Sequence, residues 1–300
     1  MRNGGKWKLK NHYELSTKMK SVSVIMAAYN AEETVAESIE SVLKQSFPDF
    51  ELIVADAGST DNTLSIVRSF EDARIRLVDG GLDKIQSLNS GIQTATGKYI
   101  AFHLTDGIMH IDRLKLQHTI MEEFPAITVC GSWETVFGKR MPKMLVEQKA
   151  AGWIDLPLVQ LLFDDIAVHP AFTVRRSFIA EHNLFFENCN QAEDYKFWTE
   201  TAKLGGGFYI DSQPLVYRRI YDTKISRKRR LDKVQSISGI KREILPFLCR
   251  KYGETFPALT GLYNSYIELE KQKLVSENDI YAQFYSLFMK NKEVFTNKDG

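Results

Sequence analysis

The chain has 300 residues, 44% of them apolar and 26% charged, and its 39 basic and 38 acidic side chains leave a formal net charge of +1. That length and apolar content can bury a sizeable core, which argues against disorder, and the near-neutral balance gives no global reason to bind nucleic acid. Three cysteines (Cys130, Cys189 and Cys249) without paired spacing argue against a disulfide framework or a zinc site, and no run reaches the roughly 18 apolar residues of a membrane-spanning helix. A reducing, cytoplasmic setting is the expectation. Residues 1–20 form a basic extension (Arg2, Lys6, Lys8, Lys10, Lys18 and Lys20 against Glu14) that no apolar run follows before Val22, so it does not read as a signal peptide.

From Val22 to Phe124 strands and helices alternate. Residues 22–26 read as a short apolar strand; Val35, Ile39, Val42 and Leu43 then recur at helical spacing, and Pro48 marks the exit turn. A second strand falls at 52–55, a helix buries Leu64, Val67 and Phe70, and a third strand falls at 75–78. Ile85, Leu88, Ile92 and Ala95 make another apolar stripe that stops at Gly97 before a strand at 99–102. Such alternation implies a mostly parallel sheet with helices on both faces. The regularity then breaks: strands are expected at 127–130, 135–137, 171–174, 208–210 and 215–217, with helices at 156–163 and 194–202. Beyond Lys224 the pattern is helical, and Leu231, Val234, Ile237, Ile240, Ile244 and Leu245 are spaced for one face. The expected organisation is therefore the extension 1–20, an α/β unit 21–224 with halves 21–124 and 125–224, and a helical C-terminal appendage 225–300.

The segment Asp56-Ala57-Gly58-Ser59-Thr60-Asp61-Asn62-Thr63 reads as a strand end, a polar turn and a helix start. In an open α/β sheet a carboxylate there faces the crevice that binds ligands, which is where a nucleotide is expected.

Several segments, in order and spacing, resemble the family 2 glycosyltransferases of the GT-A fold. They are 23–30 (ending Ala27-Ala28-Tyr29-Asn30), the Asp56 turn, Leu88-Asn89-Ser90-Gly91 with Ala95-Thr96-Gly97, the strand end at Asp106, and Ala192-Glu193-Asp194-Tyr195 with Trp198. The resemblance covers residues 20–222 and leaves the helical tail outside. It implies sugar transfer from a nucleoside diphosphate donor, UDP- or dTDP-linked, to a carbohydrate or lipid-linked acceptor, with inversion, as in bacterial surface polysaccharide synthesis.

That chemistry needs a base and ribose pocket, charge compensation for the departing diphosphate, and a general base for the acceptor hydroxyl. By the resemblance, Ala28, Tyr29, Asn30, Glu32 and Asp56 form the nucleotide pocket, with Tyr29 packing on the base. Local capping roles remain open for Asn30, Glu32 and Asp56. Asn89 either contacts the donor or makes a helix-packing hydrogen bond, since mid-helix Asn asks for a reason. The acidic motif that holds a divalent ion in relatives is reduced here to Asp106, with Leu104 and Gly107 where acids are common. One carboxylate with the donor phosphates can still hold magnesium or manganese, weakly, and His103 and His110 flank it as substitute ligands. Asp194 corresponds to the catalytic base, with Glu193 orienting it; Trp198 packs under the sugar or in the core, and His169 on the acceptor side contacts a sugar hydroxyl, contacts the base or is structural. The basic run Arg218, Arg219, Lys224, Arg227, Lys228, Arg229 and Arg230 either closes over the diphosphate, meets anionic lipid at the inner face of the membrane, or is solvated. Homodimer formation by the tail is left open. The losses at Leu104, Gly107 and Ile220 motivate the competing reading, a non-catalytic sugar-nucleotide or glycan-binding protein on the same fold.

Overall fold

The computed structural model describes residues 20–138, 141–146, 150–163, 171–221 and 224–296. The first half runs β1 (Val22–Ala28), α1 (Val35–Leu43), β2 (Phe50–Asp56), α2 (Thr63–Arg68), β3 (Ile75–Asp79), α3 (Lys84–Thr94) and β4 (Tyr99–His103). These strands pair in parallel in the order β3-β2-β1-β4. Their side chains alternate between two apolar layers. Ile25, Ile53, Ile100 and Phe102 meet Leu88 and Ile92 of α3 on one face; Val24, Met26, Leu52, Val54 and Ala101 meet Val35, Ile39 and Val42 of α1 on the other. The register sets Ala28 beside Asp56 and Met26 beside His103, so the carboxyl ends of β1, β2 and β4 finish together and their loops share one crevice. Gly97 serves close approach rather than helix termination: α3 already ends at Thr94, and a Cβ on Gly97 would lie 2.5 Å from the Ser23 amide nitrogen.

The second half comprises β5 (Gly107–Met109), α4 (Arg113–Glu123), β6 (Ile127–Gly138), β7 (Met141–Val146), β8 (Gly152–Ile154), α5 (Pro157–Leu161), β9 (Thr173–Arg175), α6 (Arg176–Glu181), α7 (Glu193–Lys203) and β10 (Gly207–Arg219). The sheet continues past β4 as β9-β6-β10-β5, with β7 on β6 and β8 on β10. β6 and β10 run parallel, whereas the pairings of β9, β5, β7 and β8 are antiparallel. The two short strands expected at 127–130 and 135–137 are one strand, and so are those at 208–210 and 215–217. Buried Glu134, held by Arg218, and the register shift between Asp211 and Pro214 keep the intervening polar residues in the ladder. α4 left no apolar stripe to read, because its buried face carries Arg113 and Gln117, which donate to the carbonyls of Phe102, Phe172, Cys130 and Ala171.

The tail forms α8 (Lys224–Gly253), α9 (Pro257–Lys271), α10 (Glu277–Lys290) and α11 (Lys292–Thr296). Ile240, Ile244, Leu248, Phe284 and Phe288 join the same buried cluster as Phe172, Phe197 and Phe208. The expected stripe is turned relative to its first two members: Leu231 and Val234 are 67% and 61% exposed, and Ile237 is half-buried. No helix among the described residues is long and apolar enough to cross a membrane.

Candidate active site

The crevice beyond β1, β2 and β4 is a cleft of about 600 Å³, a size usual for ligand sites, walled by Ala28, Tyr29, Asn30 and Ala57 on one side and His103, Leu104, Thr105 and Asp106 on the other. Lys84, Gln191, Tyr221 and Arg229 complete its rim.

The Asp56 turn is stapled by its own carboxylate. Oδ2 accepts the amides of Gly58 and Ser59 at 3.0 Å each, and Oδ1 accepts the Ser59 hydroxyl at 2.5 Å. Gly58, at φ +79°, is the residue type that turn requires. Asn30, left-handed at φ +45°, ties the β1 loop to this turn: its Oδ1 accepts the Thr60 amide at 2.8 Å, and its own amide donates to Ser59 Oγ at 3.0 Å. Tyr29, held by that loop, is 61% exposed at the cleft wall. Glu32 turns away, its Oε2 accepting the Asn62 amide and side chain at the start of α2. Asn89 is spent on a loop: its Nδ2 donates to the Phe186 carbonyl and its Oδ1 accepts the Phe186 amide, each at 2.9 Å. The helix-packing alternative is the one the structure displays.

Asp106 lines the cleft and accepts from the Tyr221 hydroxyl. Burial raises its pKa, against the opposing pull of that hydroxyl and of Arg219 and Arg218; burial, reinforced by the Asp106 charge, pushes the Tyr221 hydroxyl up to about 12. Arg218 grips Glu134 through two bonds of 2.7 and 2.9 Å, and this pair, together with the charges of Asp106 and Asp194, holds its pKa above the usual value. Arg219 pairs with Glu37 at 2.7 Å and lies over the Phe137 ring.

Glu193 and Asp194 occupy the first turn of α7, where the helix dipole favours negative charge. Glu193 Oε1 accepts the Gln191 amide at 2.8 Å and Oε2 lies 3.7 Å from Lys84 Nζ. Asp194 is buried; Oδ1 accepts the Tyr195 amide at 2.9 Å and Oδ2 accepts from Lys233 Nζ at 3.1 Å. Trp198 belongs to the core, 3% exposed among Phe102, Phe172, Phe197 and Phe208. His169 lies outside the described residues, as do the side chains of Lys224 and Arg227 in the basic run.

For a divalent ion the protein offers little by itself. Among the described residues no three His, Cys, Asp or Glu side chains gather into a metal site. His103 lines the cleft, but His110 does not; its Nδ1 accepts the Asp112 amide at 3.2 Å. Among the described residues Asp106 is the one carboxylate on the cleft wall, which fits an ion shared with a diphosphate, since magnesium keeps waters and needs only one or two carboxylates beside substrate phosphates.

Tyr221 and Lys233 escaped the sequence reading, and Lys84, which reads from the sequence as a solvated residue at the start of α3, lies on the cleft wall. Lys233 left a trace: it stands one turn before Ile237, Ile240 and Ile244, where the buried stripe of α8 calls for an apolar residue.

Asp56 and Asp194 are not among the residues that wall the cleft, but a parallel sheet whose strand ends open on a nucleotide-sized cleft with Asp106 on its wall defines a GT-A transferase. The family model described as "Glycosyl transferase family 2" matches residues 23–184, more than half of the chain. An uncharacterized glycosyltransferase of Haemophilus influenzae is 30% identical over 285 residues, covering 89% of this chain and 86% of that one. The chain belongs to glycosyltransferase family 2 and is a nucleotide-sugar-dependent enzyme. The Escherichia coli UDP-Glc:alpha-D-GlcNAc-diphosphoundecaprenol beta-1,3-glucosyltransferase WfgD is 38% identical over 117 residues, 38% of this chain and 46% of WfgD. The crystal structure of S. aureus TarS 1-349 in complex with UDP matches with a TM-score of 0.59 at 20% identity, covering 78% of this chain and 72% of that chain, a likeness of fold. These relatives do not favour the non-catalytic alternative.

Proposed function

We propose that this enzyme moves a hexose-type sugar from a UDP- or dTDP-sugar to a carbohydrate or lipid-linked glycan in surface polysaccharide synthesis, with inversion at the anomeric carbon. The observation that carries this reading is the cleft beyond the strand ends, walled by Tyr29, Asn30, Lys84 and Asp106. Tyr29 packs against the base. Asp56 holds the turn that floors the base pocket, and its remaining lone pair faces the imide or ribose. Lys84 and Arg229, both on the cleft wall, offset the diphosphate charge. Asp106 would hold a magnesium or manganese ion together with the donor phosphates, and that ion would supply further charge neutralisation to the leaving group. Asp194 accepts the acceptor hydroxyl proton as the oxygen bonds to the anomeric carbon. The bond from that carbon to the diphosphate breaks on the opposite face, and the diphosphate leaves with the electron pair.

The outer face of α8 suits peripheral contact with the inner face of a membrane. Exposed Leu231 and Val234 sit beside exposed Lys228, Arg229 and Arg230, an apolar and basic pairing that anionic lipid attracts. Arg229 also lines the cleft, so a lipid-linked acceptor would be presented close to the site. WfgD is named for a diphosphoundecaprenol acceptor.

A donor screen by thermal shift, followed by turnover of the stabilising sugar nucleotide, tests the reading. Asp194→Asn is expected to bind UDP as wild type does and to lose transfer by at least about a hundredfold, within the usual contribution of a general base. Undiminished transfer by that variant would remove the base assignment.

A further inference from the structure

α8 runs to the cleft rim at Arg229 and carries a half-buried lysine in line with its apolar face. Ile237, Ile240, Ile244 and Leu248 pack inward at helical spacing, and the next position toward the amino end is Lys233. A lysine in that row forgoes apolar burial, so the fold uses it for something else. Its Nζ lies 3.1 Å from Oδ2 of Asp194, a carboxylate only 5% exposed. Three residues on, Ser236 Oγ donates to the Asn190 carbonyl at 3.1 Å, fastening the same helix to the loop that enters α7. That loop carries left-handed, non-glycine backbone at Asn190 and Gln191 (φ +44° and +78°), strain that neighbouring contacts must hold.

We propose that Lys233 is a positioning residue for the transfer reaction, which keeps Asp194 ionised and fixes its rotamer by engaging Oδ2. The inference rests on Asp194 being the base. A buried carboxylate left alone drifts toward the protonated form and cannot take a proton; an ammonium within hydrogen-bond reach reverses that drift. Among the described residues, the neighbouring charges are engaged elsewhere. Arg218 from β10 is committed to Glu134, while Glu193, beside it on α7, is near Lys84 from α3. Lys196 on the same helix bonds Glu200 and Glu243. Lys233, by contrast, bonds Asp194 itself. The C-terminal helix thereby becomes part of the reaction centre rather than only a cover for the core.

The test uses the full chain labelled with carbon-13 at aspartate carboxyls, with Asp194→Asn to assign the resonance. In Lys233→Met the Asp194 titration midpoint is expected to rise by about one unit or more, the usual effect of losing an adjacent opposite charge, and Lys233→Arg is expected to restore it. UDP affinity should stay unchanged in both, and the acid limb of UDP release from UDP-glucose or UDP-N-acetylglucosamine should move with the midpoint. Lys233→Gln, which keeps a hydrogen-bond donor without charge, replaces Lys233→Met if the latter fails to fold. An unmoved midpoint, with Asp194→Asn inactive, would overturn the role of Lys233 alone. Full UDP release by Asp194→Asn would overturn the base assignment and this proposal with it.

Discussion

Replacing Asn89 with alanine separates two accounts of a residue whose identity invites a donor contact. In the structure both of its polar groups bind the Phe186 backbone, and Phe186 stacks on Phe197 of α7 with ring centroids 4.3 Å apart. Asn89→Ala would strand one partly buried amide and one carbonyl, at roughly 1–1.5 kcal/mol each, for a loss of about 2–3 kcal/mol. With an unfolding entropy of about 2.1 cal/mol/K per residue, a protein of this size should melt about 3–5 °C lower. Calorimetric unfolding measures that drop, and titration with UDP measures the second expectation, an unchanged affinity. Turnover should fall, because the loosened segment leads into the first turn of α7, where Asp194 sits. A melting temperature equal to wild type together with a tenfold loss of UDP affinity would refute this reasoning and return Asn89 to the donor pocket.

Tyr29→Ala should weaken UDP binding by roughly tenfold or more, as expected for loss of one base–aromatic stack, and leave the melting temperature unchanged because the ring is exposed; equal calorimetric affinities would count against the stack. Asp106 has the opposite balance, since burial raises its pKa in the folded state. The folded form therefore holds this proton when the unfolded chain has released it, so the carboxylate subtracts stability as pH rises through its unfolded value of about 3.9 and its higher folded value. Asp106→Asn should melt above wild type at pH 7, with the difference closing below about pH 4. A lower melting temperature for the variant at pH 7 would show that the carboxylate is held for stability rather than kept for a ligand.

The alternation of apolar strands and helices in residues 22–103 was legible in the sequence because each element buries a face whose period is local. The strand–turn–helix at Asp56 was equally plain, and with the motif order it pointed to the family. Four features were decided elsewhere. β6 and β10 continue through polar residues only because Glu134 and Arg218 meet across the sheet. α4 buries Arg113 and Gln117, whose partners are carbonyls from other elements. Asn89 found its partner 97 positions away. Lys233 became part of the site only when α8 docked on α7. In each case a polar group is stable in the interior because a complementary group from a distant segment desolvates with it. A side chain's periodicity announces that it will be buried; which donor or charge will be waiting there is settled by tertiary packing.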